Sequence, residues 1–333
     1  MMYANKFILS LFLVNLLLLY FYRKISKVLN IYDIPDKQRK IHKYKVPTIG
    51  GTIFVLNIFV YLLFLLFFGK NYYPLVFVSN KTIFVFFFLI FSAYFIGILD
   101  DKYNISAIKK LFLIFLIVYI SALIDQRIVV NKLTFSFTKK EIFLENFSVF
   151  FTTICILLFV NAFNMFDGIN GQAGLYAVCT SLILLVYGSD LVLVTLVLIP
   201  MFFFLFFNIK GKIFLGDSGS ICISMFISLI FILNYNISNL FYADQIFLFL
   251  LFPGLDMLRL FLERVFSRKS PFQSDSNHIH HILIKKNNKF STLILTIMVP
   301  ATLFILYYIF SLKTYTTIAL ITLYYLFLYF KFK

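Results

Sequence analysis

Tryptophan is absent from this 333-residue chain, Asp and Glu together number only 14, and there are three cysteines. Each scarcity excludes something. Cys155, Cys179 and Cys222 all lie within apolar runs and form no C-x-x-C pair, which argues against a disulfide framework and against a cysteine metal site. Charged residues make up 13% of the chain, whereas a soluble domain carries about a quarter. No repeat of fixed period and no soluble appended domain interrupts the chain, so 1–333 reads as one integral membrane domain. No function is read into the missing Trp or the 47 Phe.

What is present is apolar sequence, 62% of the residues. A helix needs roughly 20 apolar residues to cross a hydrocarbon core about 30 Å thick. Eleven such runs are predicted, at 5–22, 48–68, 82–99, 107–124, 147–163, 173–187, 190–208, 218–234, 244–262, 292–311 and 314–330. The expected fold is therefore all-α, a polytopic transmembrane bundle of about 10–11 spans. The first run is followed by a dense basic segment and by no small-residue cleavage site, so it reads as a retained span and not a signal peptide. Between the fourth and fifth runs, the alternation from Arg127 to Phe137 predicts a short β-hairpin on the outer face.

The net charge of +16 does not predict a nucleic-acid partner, because the Lys and Arg sit in short loops between apolar runs, where they set topology. With the N-terminus outside, inner segments hold about 22 of the 30 basic residues. The segment 23–47 and the segment 259–291 are the richest. An odd number of spans then puts the C-terminus, with Lys331 and Lys333, in the cytoplasm.

Under that topology the unusual polar residues all fall on the inner side. They are Asp33 to Gly51 in the first inner segment, Asp100 and Asp101, Asn161 to Gly171, Lys212 to Ser220, and Asp275 to His281. Carboxylates at a membrane are costly unless solvated or paired, so their gathering at several helix ends predicts one shared site at the membrane surface. A transporter or lipid flippase, the reading from another class, would carry such residues at mid-span. The span centres are almost free of them.

Each motif has a plain and a chemical reading. Asp100-Asp101 is either a solvated pair at a helix end or a site for Mg²⁺, which prefers oxygen ligands. Lys110 either obeys the positive-inside rule or meets a phosphate. In Asn161-Ala-Phe-Asn-Met-Phe-Asp-Gly-Ile-Asn-Gly171, the residues Asn161, Asn164 and Asp167 at spacing three share one face of a helical turn, and the glycines let backbone approach a ligand. Gly216-Asp-Ser-Gly-Ser220 is either a helix cap or a helix N-terminus offering N–H groups to phosphate. His278-Ile-His280-His281 holds three of the four histidines and reads as a zinc site or as a binder of phosphate or sugar. The fourth is His42.

Taken in order, these motifs resemble the polyprenyl-phosphate N-acetylhexosamine-1-phosphate transferases, the family that includes WecA, TagO and MraY. The residues carrying the resemblance are Asp33-x-Pro-x-x-x-Arg39-Lys40-x-His42 with Pro47 and Gly50-Gly51, Asp100-Asp101 with Lys110, Asn164-x-x-Asp167-Gly168, Gly216-Asp217-x-Gly219-Ser220, and His278-x-His280-His281. They span about residues 33 to 283. The His-x-His-His form is similar to the WecA-like branch. Asn170 stands where the family often has a second Asp, which removes a charge at that position.

The resemblance implies an enzyme of the bacterial cytoplasmic membrane, with its active site facing the cytoplasm. It would pass a HexNAc-1-phosphate, most often GlcNAc-1-phosphate, from a UDP-sugar to undecaprenyl or another polyprenyl phosphate and release UMP. This would be the initiating step of a cell-envelope glycan. Transfer of phospho-MurNAc-pentapeptide is the alternative within the family. The cofactor implied is Mg²⁺, with Mn²⁺ as a substitute. Asp100 and Asp101 are the expected catalytic residues, and Asp217 and Asn164 the expected metal ligands. Asp167, Asn170, Lys110, His278, His280, His281, Arg39 and His42 are the expected substrate contacts.

Overall fold

The structure is a computed structural model that describes residues 2–35, 44–68, 74, 76–138, 140–271 and 277–333. It is almost wholly helical, as expected. Helix α1 (Met2–Tyr20) turns by 69° into the short α2 (Tyr22–Leu29). There follow α3 (Gly50–Phe68), α4 (Asn80–Tyr103), α5 (Ala107–Ile124), α6 (Ser148–Phe166), α7 (Gln172–Val186), α8 (Leu191–Asn208), α9 (Gly216–Leu233) and α10 (Ala243–Phe266). The chain ends with the short α11 (Ile279–Lys286), then α12 (Lys289–Leu293), which runs through a π-helical turn into α13 (Val299–Ile309), and α14 (Thr314–Phe332).

Among the described residues nine helices are long and apolar enough to cross a membrane, and the bent pair α1–α2 makes a tenth if it counts as one span. The remaining predicted span, 173–187, is α7. Its 15 residues reach only about 22 Å at 1.5 Å per residue, short of the ~30 Å core.

Helix α9 is the centre of the bundle. All but its first two residues are buried, and α3, α4 and α6 pack around it. Close approach is made by small residues, the usual device where apolar burial cannot distinguish one helix from lipid. A Cβ on Gly97 of α4 would stand 2.3 Å from the Cα of Ser218, and one on Gly51 of α3 would stand 2.5 Å from the Gly219 nitrogen. Both crossings lie in the first turn of α9, at the end of the bundle that carries the polar motifs.

The predicted hairpin after the fourth run exists but is displaced. Strand β3 (Lys132–Thr134) lies in the alternating stretch, and its antiparallel partner β4 (Glu141–Phe143) lies beyond it. The hairpin is tied down by Asp244 at the start of α10, whose carboxylate accepts from the Ser136 N–H at 2.9 Å and from its hydroxyl at 2.5 Å. At the opposite end, two-residue strands β1 (Tyr32–Asp33) and β2 (Val46–Pro47) pair antiparallel. The backbone then continues alongside the entry to α9: Phe214 N–H donates to Pro47 O, Gly50 N–H to Phe214 O and Gly51 N–H to Leu215 O, at 2.8, 3.1 and 3.2 Å. The Pro47 and Gly50-Gly51 motif thus adjoins the Gly216-Asp217 motif.

Candidate active site

Four helices deliver side chains to one cluster. The ammonium of Lys110, in the first turn of α5, donates to Asp100 Oδ2 at 2.5 Å and to Asp217 Oδ1 at 2.8 Å. It therefore bridges the end of α4 and the start of α9. The side chains of Lys110 and Asp100 are 13% and 7% exposed, so a carboxylate and an ammonium are removed from water together, which is tolerable only because they are paired. The positive-inside reading of Lys110 does not explain this placement.

Asp101 has a different task from its neighbour. Its Oδ1 accepts the Asp217 N–H at 2.8 Å and its Oδ2 the Ser218 N–H at 3.1 Å. Both are N–H groups of the first turn of α9, which no intrahelical carbonyl can take. The carboxylate also meets the positive end of the helix. So the α9 N-terminus, read from sequence as a cap or as a phosphate cradle, has these two donors capped by Asp101. The cap is delivered by another helix and not by the residues of the motif. Gly216 enters the helix with φ +74°, and a Cβ there would stand 2.8 Å from Asp101 Oδ2.

Asn164, in the last turn of α6, joins from the other side. Its Oδ1 accepts from the Ser220 hydroxyl at 2.6 Å. Asp167 follows at the helix end. Burial first, then the charges of Asp217 and Asp101, push its carboxyl up to about 7. Asn161 does not share the face that its spacing predicts. Its amide turns to the sulfurs of Met165 and Met257, because two steps of three residues rotate about 120° short of two full helical turns.

The loop after Asp167 is held by Asn208, the last residue of α8. Asn208 Oδ1 accepts the Gly171 N–H at 2.6 Å, and its Nδ2 donates to Ile213 O at 2.9 Å. Asn170 lies beside Gly211, its amide nitrogen 3.4 Å from where a Cβ on that glycine would stand.

The histidine motif adjoins Gly168. A Cβ there would stand 1.7 Å from His280 Nε2, so only glycine admits the ring. His280 is fully buried, and among the described residues both its nitrogens lack a hydrogen-bond partner. Burial, then the neighbouring His281 and His278, hold its pKa well below the ordinary histidine value. Its ring lies 5.3 Å from that of His278 and 4.3 Å from that of His281. Of the predicted site residues, Arg39 and His42 lie outside the described residues.

Sequence reasoning overlooked the support beneath the histidines. Asp256, Arg259 and Glu263 of α10 form a ladder that runs from the buried Asp256 to the partly exposed Glu263. Arg259 donates to Asp256 at 2.8 Å and to Glu263 at 2.9 Å, and its Nε donates to the Tyr325 hydroxyl of α14 at 2.7 Å. Asp256 and Arg259 at spacing three within span nine, with Glu263 just past its end, were the available signal.

Among the described residues no group of three or more His, Cys, Asp and Glu side chains is arranged to hold a metal ion, so the zinc reading of the histidine motif finds no support there. The donor set at Asp217 is of another kind. It offers carboxylate and amide oxygens, and of the four carboxylates there Lys110 pairs with Asp100 and Asp217, while Asp101 caps α9 and Asp167 lies at the end of α6. Such a set suits a hard divalent cation that takes one or two carboxylates and completes its shell with water or phosphate.

This is a membrane-embedded helical bundle with an acidic, lysine-bridged site where several helices end. Residues 83–235, which include Asp100, Asp101, Lys110, Asn164, Asp167 and Asp217, match the model of glycosyl transferase family 4. The chain is 27% identical over 293 residues to the undecaprenyl-phosphate α-N-acetylglucosaminyl 1-phosphate transferase of Escherichia coli K12, covering 84% of this chain and 76% of that protein. It is also 27% identical over 292 residues to the protein of the same name from Thermotoga maritima, covering 87% and 84%. Over a shorter stretch of 199 residues it is 33% identical to the phospho-N-acetylmuramoyl-pentapeptide-transferase of Petrotoga mobilis, covering 55% and 60%. The resemblance drawn from the motifs is borne out by these relatives.

Proposed function

We propose that this protein transfers a HexNAc-1-phosphate, with GlcNAc-1-phosphate as the leading choice, from a UDP-sugar to undecaprenyl phosphate or a related polyprenyl phosphate. The observation that carries the reading is the convergence of Asp100, Asp101, Lys110, Asn164 and Asp217 from α4, α5, α6 and α9. An oxygen of the lipid phosphate attacks the β-phosphorus of the nucleotide sugar. The bond from that phosphorus to the bridging oxygen breaks, and UMP leaves with the electron pair. Such transfers depend mainly on alignment and on neutralising charge.

Lys110 supplies a fixed positive charge to the phosphates. Asp100, which shares that lysine, orients the acceptor phosphate. A strong base is not needed, because the second pKa of a phosphate monoester is near 6. Asp101 acts one step back, fixing the first turn of α9 and hence Asp217. Asp217 and Asn164, with Asp167 beside them, would hold Mg²⁺ or Mn²⁺. That cation would neutralise the diphosphate and stabilise departing UMP. The histidine loop contacts the sugar or its phosphates. The membrane is the bacterial cytoplasmic membrane, with the N-terminus outside and the site facing the cytoplasm.

Membranes containing the protein, given undecaprenyl phosphate and a panel of UDP-sugars, test the reaction. UMP release matched by a lipid product of the added HexNAc-phosphate mass is expected. Release without lipid product, or product only with UDP-MurNAc-pentapeptide, refutes the GlcNAc assignment. The latter would favour the Petrotoga-like reading that the 33% identity supports. For orientation, Lys269→Cys is expected to react with an impermeant thiol reagent only after cells are opened, and Lys140→Cys in intact cells. The reverse pattern overturns the topology.

A further inference from the structure

The buried carboxylate of Asp256 divides its work between two oxygens. Oδ1 accepts from Tyr325 and Arg259, both at 2.8 Å, and from the Ile279 N–H at 3.1 Å. These contacts fasten α10 to α14 and to the first residue of α11. Among the described residues Oδ2 has one partner, His278 Nδ1 at 3.1 Å. The oxygen already crowded with structural donors is thus distinct from the one that meets the histidine. Arg259 closes the frame by donating to Asn277 O, the residue before His278, at 2.7 Å.

A carboxylate can only accept, so the proton of this bond resides on Nδ1. Which nitrogen of a histidine carries its proton is set by the bond that the other nitrogen makes. We propose that Asp256 is a positioning residue acting through His278. It holds the proton on Nδ1 and locks the ring so that Nε2 is the nitrogen left to meet the nucleotide sugar. The ring stack from His278 to His280, and the contact of His280 with Gly168, align this nitrogen with the Asp167 loop. The inference deepens the transferase reading and rests on it for the identity of the ligand.

Asp256→Asn preserves size and leaves an oxygen for the three Oδ1 donors, but presents an NH₂ to His278. Nδ1 must then accept, and the proton moves to Nε2. In the transferase assay Asp256→Asn is expected to lower kcat/KM for the UDP-sugar at least tenfold. In a His278→Asn background it should add less than twofold. An equal loss in both backgrounds, or a loss below twofold in the first, overturns the proposal. Tyr325→Phe, which removes an Oδ1 donor and the acceptor of Arg259 Nε but leaves the Oδ2–His278 contact, should stay within threefold of the unaltered protein. Nitrogen NMR of ¹⁵N-histidine-labelled protein in detergent reads the tautomer without any activity. The resonance lost in His278→Asn should show a protonated Nδ1 in the unaltered protein, and a bare Nδ1 there refutes the inference by itself. Absence of turnover with every UDP-sugar would instead strike the transferase reading and leave the NMR result to decide this one.

Discussion

Gly97→Ala is the smallest change that tests how the site is assembled. Gly97 lies one helical turn before Asp101 on α4, and a Cβ there would stand 2.3 Å from Ser218 Cα, 2.6 Å from Ser218 N and 2.8 Å from Asp217 C. Favourable carbon contacts lie at about 3.5–4.0 Å, so α4 must retreat from α9 by more than about 1 Å. The opposing atoms are backbone of a buried helix, which cannot rotate away as a side chain would. Overpacking typically costs ~1–3 kcal/mol, and this geometry belongs at the upper end. The same retreat stretches the 2.8 and 3.1 Å bonds from Asp217 and Ser218 N–H to Asp101. Hydrogen bonds to a charged group contribute about 1.5–3 kcal/mol each. A misplacement of about 1 Å in a reacting assembly can reduce turnover 10²-fold. The expected result is a lowered melting temperature in detergent and transferase activity near 1% of normal. Gly254→Ala is the control, because nothing stands within 4 Å of a Cβ there; it should be neutral or stabilising by up to ~1 kcal/mol. Activity of Gly97→Ala within twofold of normal would refute the claim that this crossing sets the site.

Three further outcomes follow from particular contacts. Lys110→Met leaves Asp100 and Asp217 facing each other without a cation. Breaking a buried pair costs ~3–5 kcal/mol, and the partial exposure of Asp217 (34%) puts the expected loss at about 3; normal melting and turnover would show that the bridge is incidental. Asn15 of α1 and Asn57 of α3 exchange amide bonds at 2.7 and 3.1 Å inside the bundle. Asn15→Leu or Asn57→Leu alone should destabilise by ~1–3 kcal/mol, and the double change by little, read as thermal melting in detergent; additive losses would deny the pairing. Chelation of divalent cations should abolish UMP release and added Mg²⁺ should restore it, whereas undiminished turnover with chelator removes the cation from the scheme.

The sequence made the bundle legible because apolar run length is a direct physical requirement of the bilayer, and the predicted spans coincide with helices throughout. Asp100-Asp101 was legible as a pair but not as two residues with different tasks. The division arises from α9 crossing α4 at Gly97, and a contact between residues 101 and 217 has no local signature. Lys110 was legible as a basic residue near the start of a span, yet its bridge to Asp217, 107 residues away, is a product of packing. The Asn161–Asn164–Asp167 spacing predicted one face, and the structure brings only the last two to the site. Asp256 and Arg259 were hidden in plain view, because a window average over an apolar span absorbs two charges that neutralise each other at spacing three.

The position of the site follows from how a buried helix must begin. Helix α9 is surrounded by protein, so its first N–H groups have little water to satisfy them, and an unsatisfied polar group in such surroundings costs several kcal/mol. Asp101 takes two of them, which requires α4 to end at the same depth. The charge brought in by that cap, together with Asp217 and Asp100, then requires a cation, and Lys110 of α5 supplies one. Each helix end is fixed by the need of the one before it. The result is an acidic cluster with a single lysine where these helices end, and its surplus negative charge suits a divalent cation.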